Sequence, residues 1–273
     1  MTAHRLDRLV LRLAGADAHG FLNNLVTNDL ARLDEAPILY AGLLTPQGKV
    51  WVDFFVWRDG ADLLIEAPPG DLLAKLTLYK LRAAVTIEDV SAGFDVLFDD
   101  GGGAHGTFSA PDPRLPTLGS RSLVAKNSAR PDGAPKVLLA HRLTIGVPEL
   151  SEDAAPGEVF ALEALFEELN GVDFQKGCFI GQENVSRMKR RATTRRKFCP
   201  LLTDGIAPPG APVMAGEIVL GDVRAAVHGR ALALLRLDRA LEAVAQGVPM
   251  SAGGQPVRLD PPPWLIAPSL ESA

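Results

Sequence analysis

Apolar residues recur along this chain in two rhythms, one helical and one alternating. Ala18, Phe21, Leu22, Leu25 and Val26 keep the i, i+3, i+4, i+7, i+8 spacing of a single buried face. That spacing predicts a helix over 17–30 whose end, Thr27-Asn28-Asp29, is polar. Ile38 to Leu44, Val50 to Trp57 and Asp62 to Glu66 predict three strands. The turn signals Thr45-Pro46-Gln47-Gly48 and Arg58-Asp59-Gly60 join them into an antiparallel meander. A second helix is predicted from Asp71, on the stripe Leu72, Leu73, Leu76, Tyr79 and Leu81 behind Pro68-Pro69-Gly70. Short strands are expected around Val85 and Val96.

Beyond this point the pattern changes. Residues 99–119 open on Asp99-Asp100-Gly101-Gly102-Gly103, are rich in Gly and Pro and lack a period, which predicts a flexible surface excursion. Leu138 to Gly146 has strand-like character, and Phe160, Ala161, Ala164, Leu165 and Leu169 predict a further helix over 160–169. From about Phe198 onward, short apolar runs broken by Gly and Pro predict a small, all-β antiparallel barrel.

Composition supports a globular protein of two or three modules: the 273 residues are 47% hydrophobic and 22% charged, enough apolar surface to offset chain entropy. Arg5, Asp7, Arg8 and Arg12 interrupt every N-terminal run able to serve as a signal-peptide core, so a cytoplasmic location is expected. The two cysteines, Cys178 and Cys199, exclude a disulfide framework and leave a single bridge conceivable.

Chemistry concentrates in KGCFIGQE, residues 176–183. Gly177 and Gly181 bracket Cys178 and let the backbone approach a ligand closely. Lys176, two residues away, is placed to favour the thiolate if the side chains meet. One reading is a reactive or metal-ligating cysteine; the other is a small buried side chain filling apolar space. Gln182 and Glu183 suit either hydrogen bonding to a polar heterocycle or the start of the next helix. Arg187, Lys189, Arg190, Arg191, Arg195, Arg196 and Lys197 then form a basic cluster in a chain of net charge −5, suited to an anionic ligand tail, a phosphate backbone, an acidic protein surface or plain solvation. His4, His19, His105, His141 and His228 are scattered, and neither HExxH nor CxxC occurs, so an intrinsic structural zinc is not expected. Nucleotide hydrolysis, serine hydrolysis and Rossmann chemistry lack their motifs as well.

KGCFIGQE resembles the K-G-C-[YF]-x-G-Q-E signature of the YgfZ family, folate-binding relatives of the glycine-cleavage T-protein implicated in iron–sulfur protein maturation. Leu25 to Asp29, Leu43 to Lys49, Asp53, Arg142 and Gly146 also match that pattern. The resemblance implies an α+β fold: two ferredoxin-like modules in a ring-like arrangement with a C-terminal β-barrel, at 1–98, 99–197 and 198–273. It implies a folate-binding accessory factor in assembly or repair of iron–sulfur proteins. Cys178, Lys176 and Asp53 would form the functional centre, with Cys178 a transient ligand of a [4Fe–4S] cluster. Gly177, Gly181, Gln182, Glu183, Arg187, Arg191, Asn28 and Arg142 would surround tetrahydrofolate or a derivative. Iron–sulfur assembly proteins or client enzymes are the implied partners. A folate-dependent one-carbon transferase and an RNA-associated factor remain alternatives, the first favoured by the fold and disfavoured by the KGC thiol, the second suggested only by the basic cluster.

Overall fold

The structure is a computed structural model that describes residues 3–106, 108–129, 131, 133–192 and 194–268. The chain divides into two compact units, one formed by 1–138 with 169–182 and the other by 139–168 with 183–273.

The first unit holds β1 (Ala3–Leu6), β2 (Leu9–Ala14), α1 (Ala18–Asn23), β3 (Ile38–Leu44), β4 (Val50–Asp59), β5 (Asp62–Ala67), α2 (Leu72–Lys80), β6 (Thr86–Asp89), β7 (Phe94–Asp99), β8 (Phe108–Pro111) and β9 (Ser120–Ala125). A five-stranded sheet runs β3-β4-β5-β2-β6 and a four-stranded sheet β1-β7-β9-β8, with antiparallel pairing throughout. The β3–β4–β5 meander lies where the alternation placed it. Leu39, Ala41, Leu43, Phe54, Val56 and Ile65 point to one side of the larger sheet and pack with Leu22, Leu72 and Leu76 of the helices. Tyr40, Asp53, Phe55, Trp57 and Glu66 take the opposite parity and are also buried. Both faces of the sheet are covered at β3, so this strand is buried along its whole length and reads as continuously apolar.

Two expectations for this unit are corrected. The helix predicted over 17–30 stops at Asn23; Val26 forms an isolated bridge with Leu43, and a 3-10 helix follows at Leu30–Asp34. Polar side chains end it early: Asn23 Oδ1 accepts from the Leu30 amide, and Thr27 exchanges bonds with Gly42, its backbone N–H reaching the Gly42 carbonyl and its Oγ1 accepting from the Gly42 amide. The stretch 99–119 is not a loose excursion. It contains β8, paired to β9, and buries Asp112 and Arg114.

The second unit holds most of α3 (Pro135–Ile145) and of α5 (Gln182–Arg191), whose first residues belong to the first unit, with α4 (Leu150–Asp153), β10 (Arg196–Thr203), β11 (Pro212–Ala215), β12 (Ile218–Val227), β13 (Arg230–Arg236), α6 (Leu237–Ala245), β14 (Met250–Ala252) and β15 (Gln255–Leu259). Strands β10-β13-β12-β11-β14-β15 close into a six-stranded barrel around Cys199, Leu201, Val213, Val223, Ala233 and Val257.

Three further corrections fall here. Residues 138–146 are helical, not a strand: Pro135 occupies the first position of α3, where no amide bond is lost, and Gly146 at φ +89° follows its end. Residues 160–169 form successive turns, not a regular helix, because Leu165 adopts φ +63°. Ala161, Leu162, Ala164, Leu165, Phe166 and Leu169 are nevertheless all buried. The barrel module is not all-β, since α6 packs Leu237, Ala240 and Ala243 into its core.

Candidate functional site

The matched segments 25–29 and 43–49 and residues 176–182 of the motif meet in the first unit. Thr27 Oγ1 donates to the Gly171 carbonyl at 2.6 Å, and the Asp173 amide donates to the Thr27 carbonyl at 3.1 Å. Asn28 Nδ2 donates to the carbonyls of Tyr40 and Asn170, both at 2.8 Å, while its Oδ1 accepts from the Asp29 amide and from Arg32. This stitches the segment leading into KGCFIGQE to the end of α1 and to β3.

Lys176 completes the anchor. Its buried ammonium donates to the carbonyls of Asn23 at 2.6 Å, Val26 at 2.8 Å and Asn28 at 2.8 Å, and also lies 3.3 Å from Asn23 Oδ1. Burial pushes it down to about 8, against the opposing pull of Asp29 and Asp173. Its three N–H groups therefore serve the backbone turn after α1, so its position is explained by anchoring the loop. Phe179 stacks below it, with the ammonium 5.6 Å from the ring centre.

The two glycines of the motif do different work. Gly181 sits at φ +81°, and a Cβ there would lie 2.6 Å from the Thr45 carbonyl oxygen and 2.9 Å from Gly48 Cα. The loop can approach the β3–β4 turn only because Gly181 lacks a side chain. Around Gly177 a Cβ would meet nothing within 4 Å. Cys178, next to that open space, is exposed and free. Cys199 is buried in the barrel, and burial pushes its thiol up to about 12. One sulfur is thus presented and the other held inert. Among the described residues no group of three or more His, Cys, Asp or Glu side chains could hold a metal.

Gln182 opens α5, its amide donating to the Phe179 carbonyl at 3.2 Å, and Glu183 lies in the first turn, where a carboxylate suits the helix dipole. Arg187 and Arg191 are exposed on α5. Arg142 is buried in α3, its terminal nitrogens donating to Asp153 and Glu152 at 2.8 Å.

Asp53 is buried on β4, and Tyr40 donates its hydroxyl to it at 2.9 Å. Beside this pair lies a charged cluster that the sequence reading missed. Arg121 holds Glu66 through two nitrogens and reaches Asp112 at 3.2 Å; Arg114 binds Asp112 bidentately, at 3.0 and 2.9 Å; Arg8 lies 3.4 Å from Glu66. The Arg121 guanidinium stacks over Phe55 at 3.8 Å. The available signal was a lone carboxylate inside each apolar strand, Asp53 in VWVDFFVW and Glu66 in LLIEA, where burial demands a partner.

Comparison with known proteins places this geometry. The family described as CAF17, C-terminal beta-barrel domain, matches residues 195–266. Human mitochondrial iron–sulfur cluster assembly factor IBA57 is 31% identical, over 85% of this chain and 76% of its own length. The mitochondrial homologues of Mycosarcoma maydis and Neurospora crassa are 31% and 29% identical, over 75% and 74% of this chain. The chain covers 58% and 54% of those two fungal proteins, little more than half their length. The glycine cleavage system aminomethyltransferase T of Bartonella henselae shares the fold, with a TM-score of 0.71 at 14% identity over 96% of this chain and 86% of its own. The α+β class with a closed C-terminal barrel is therefore established.

The cytoplasmic expectation is overturned, since the relatives are mitochondrial proteins. The charged residues that interrupt the N-terminal run do not separate cytosol from organelle. The relatives are IBA57 proteins rather than YgfZ itself. With 31% identity across three quarters of the human protein, the chain belongs to the IBA57 family, built on the aminomethyltransferase fold.

Proposed function

We propose that this chain assists the assembly of iron–sulfur proteins, offering the Cys178 thiolate as a transient ligand to a cluster whose remaining ligands come from a second protein. The observation that carries this reading is the exposed thiol on a loop anchored through Lys176, with open space at Gly177. A lone thiolate does not own a cluster that normally takes four protein ligands. The described residues supply no companion set, so the cluster is cargo shared with a partner. The names of the relatives support the same role, and so does the KGC motif resembling that of the YgfZ family.

The folate expected from the fold fits the assigned residues poorly. Both N–H groups of the Asn28 amide are spent on carbonyls and its oxygen accepts two bonds, while the terminal nitrogens of Arg142 are held by Asp153 and Glu152. The proposed role accordingly includes no step through folate, and a transferase reading rests on fold likeness alone.

The test is anaerobic transfer of a [4Fe–4S] cluster to apo-aconitase in the presence of a cluster-loaded scaffold protein, followed by aconitase activity. Wild type and Cys199→Ser should accelerate transfer, and Cys178→Ser should not. Acceleration by Cys178→Ser equal to wild type would refute the role of the thiol.

A further inference from the structure

Residues 182–197 carry seven cations against one carboxylate, in a chain of net charge −5. The fold neutralises three of the seven. Lys189 pairs with Glu167, Arg196 with Glu163 and Lys197 with Glu168. The other four, Arg187, Arg190, Arg191 and Arg195, are all arginines and all exposed. Arg187 donates to the Asn184 side chain and Arg190 to the Ser186 carbonyl, and Arg195 feels Asp238, which Arg236 already pairs. Among the described residues none of the four forms an ion pair with a carboxylate.

The geometry points to α5 and the residues after it as a docking surface for an acidic, cluster-carrying protein. Val185 is the buried residue of α5, and Arg187, Arg190 and Arg191, at i, i+3 and i+4, share an outward face. Guanidinium is planar, always charged and suited to bidentate pairing with carboxylates. A solvated face would serve equally well with lysine; here both lysines of the run are paired, as is Arg196, and the four cations left without a carboxylate are all arginines, which favours recognition.

A protein occupant follows from the thiol, and this step rests on the function proposed above. Any partner that supplies ligands to a cluster at Cys178 must approach that sulfur within bonding distance. At most about 14 Å of chain separates Cys178 from Gln182, the start of α5. An acidic face is the complement that attracts rather than repels there. Four guanidiniums on a net-negative chain are a small footprint for a nucleic acid, which is bound through extended phosphate contacts.

The experiment measures the affinity of the full chain for a cluster-loaded plant-type [2Fe–2S] ferredoxin, used as an acidic cluster-carrying probe, and for poly(U) RNA. Titrations are run at about 20 mM and about 300 mM salt. Wild type should bind ferredoxin at low salt, more tightly than poly(U), and lose about tenfold or more at high salt. Arg187→Glu/Arg191→Glu should lose at least about tenfold at low salt with an unchanged unfolding midpoint. Arg58→Glu, an exposed reversal in the other unit, should change affinity less than about threefold. No binding at low salt, equal losses for both reversals, or tighter binding to poly(U) would overturn the docking surface. Docking is read as affinity and the thiol's role as cluster transfer. Normal transfer by Cys178→Ser alongside arginine-dependent docking would remove the thiol's role and leave the surface intact.

Discussion

Lys176 Nζ lies 2.8 Å from the carbonyl oxygen of Asn28, 148 residues earlier in the chain. With the carbonyls of Asn23 and Val26 it makes one buried ammonium the clasp of three backbone carbonyls. Lys176→Met keeps the length of the side chain and removes every donor. It should destabilise the protein by about 2–4 kcal/mol, because buried carbonyls are left unsatisfied. Hydrogen exchange should quicken in 23–30 and 170–181 while the barrel strands stay protected. Uniform change across both units would contradict a local clasp.

The same lysine predicts a pH dependence. Burial depresses its folded value to about 8 from 10.5, so between those limits the unfolded chain holds a proton that the native protein has released. Stability should therefore rise with pH through that window, and the native state carries the cost of the buried charge below it. Denaturant unfolding at pH 7.5 and pH 9.5 should show wild type gaining relative to Lys176→Met. A constant difference between the two proteins would exclude Lys176 as the titrating group.

How much of this was legible depends on what a residue contacts. The β3–β4–β5 meander could be read because alternation and turn residues are local signals. The early end of α1 could not, because Lys176 and Gly171, which fix the chain after it, lie some 150 residues away in sequence. Lys176 was recognised as important, but its nearness in sequence to Cys178 suggested thiolate activation, whereas its donors go to backbone carbonyls. In 138–146 apolar residues obscured a helix whose punctuation, Pro135 and Gly146, was visible. The burial of Asp112 and Arg114 inside a Gly/Pro-rich stretch left no periodic trace, since each is compensated by the other and by Arg121.

The contrast between the two motif glycines is testable. Gly181→Ala combines an unfavourable positive φ with a Cβ 2.6 Å from the Thr45 carbonyl, so a loss of about 2–4 kcal/mol is expected. Gly177→Ala meets open space and should change stability by less than about 1 kcal/mol. If Gly177→Ala slows cluster transfer at unchanged stability, the space beside Cys178 is where the cluster or its carrier enters. Equal melting temperatures for the two variants would show that Gly181 imposes no such constraint.

The buried ionic cluster sets the acid response. Burial alone would raise the Asp112 carboxyl, but Arg114 and Arg121 beside it hold it below the usual carboxylate range. A depressed folded value means that this stabilisation is present above the unfolded value near 4 and is lost as pH falls toward the folded one. Asp112→Asn preserves shape but leaves two buried guanidiniums short of a counter-charge, so at pH 7 it should cost about 3–5 kcal/mol. As pH falls from about 5 to about 3, wild type loses the advantage of the charged carboxylate and the gap should narrow. Intrinsic fluorescence offers a local report, because Trp57 Nε1 donates to Glu66 at 3.3 Å within the same cluster. Wild type and variant curves that stay parallel down to pH 3 would show that Asp112 is not the group whose protonation releases the cluster.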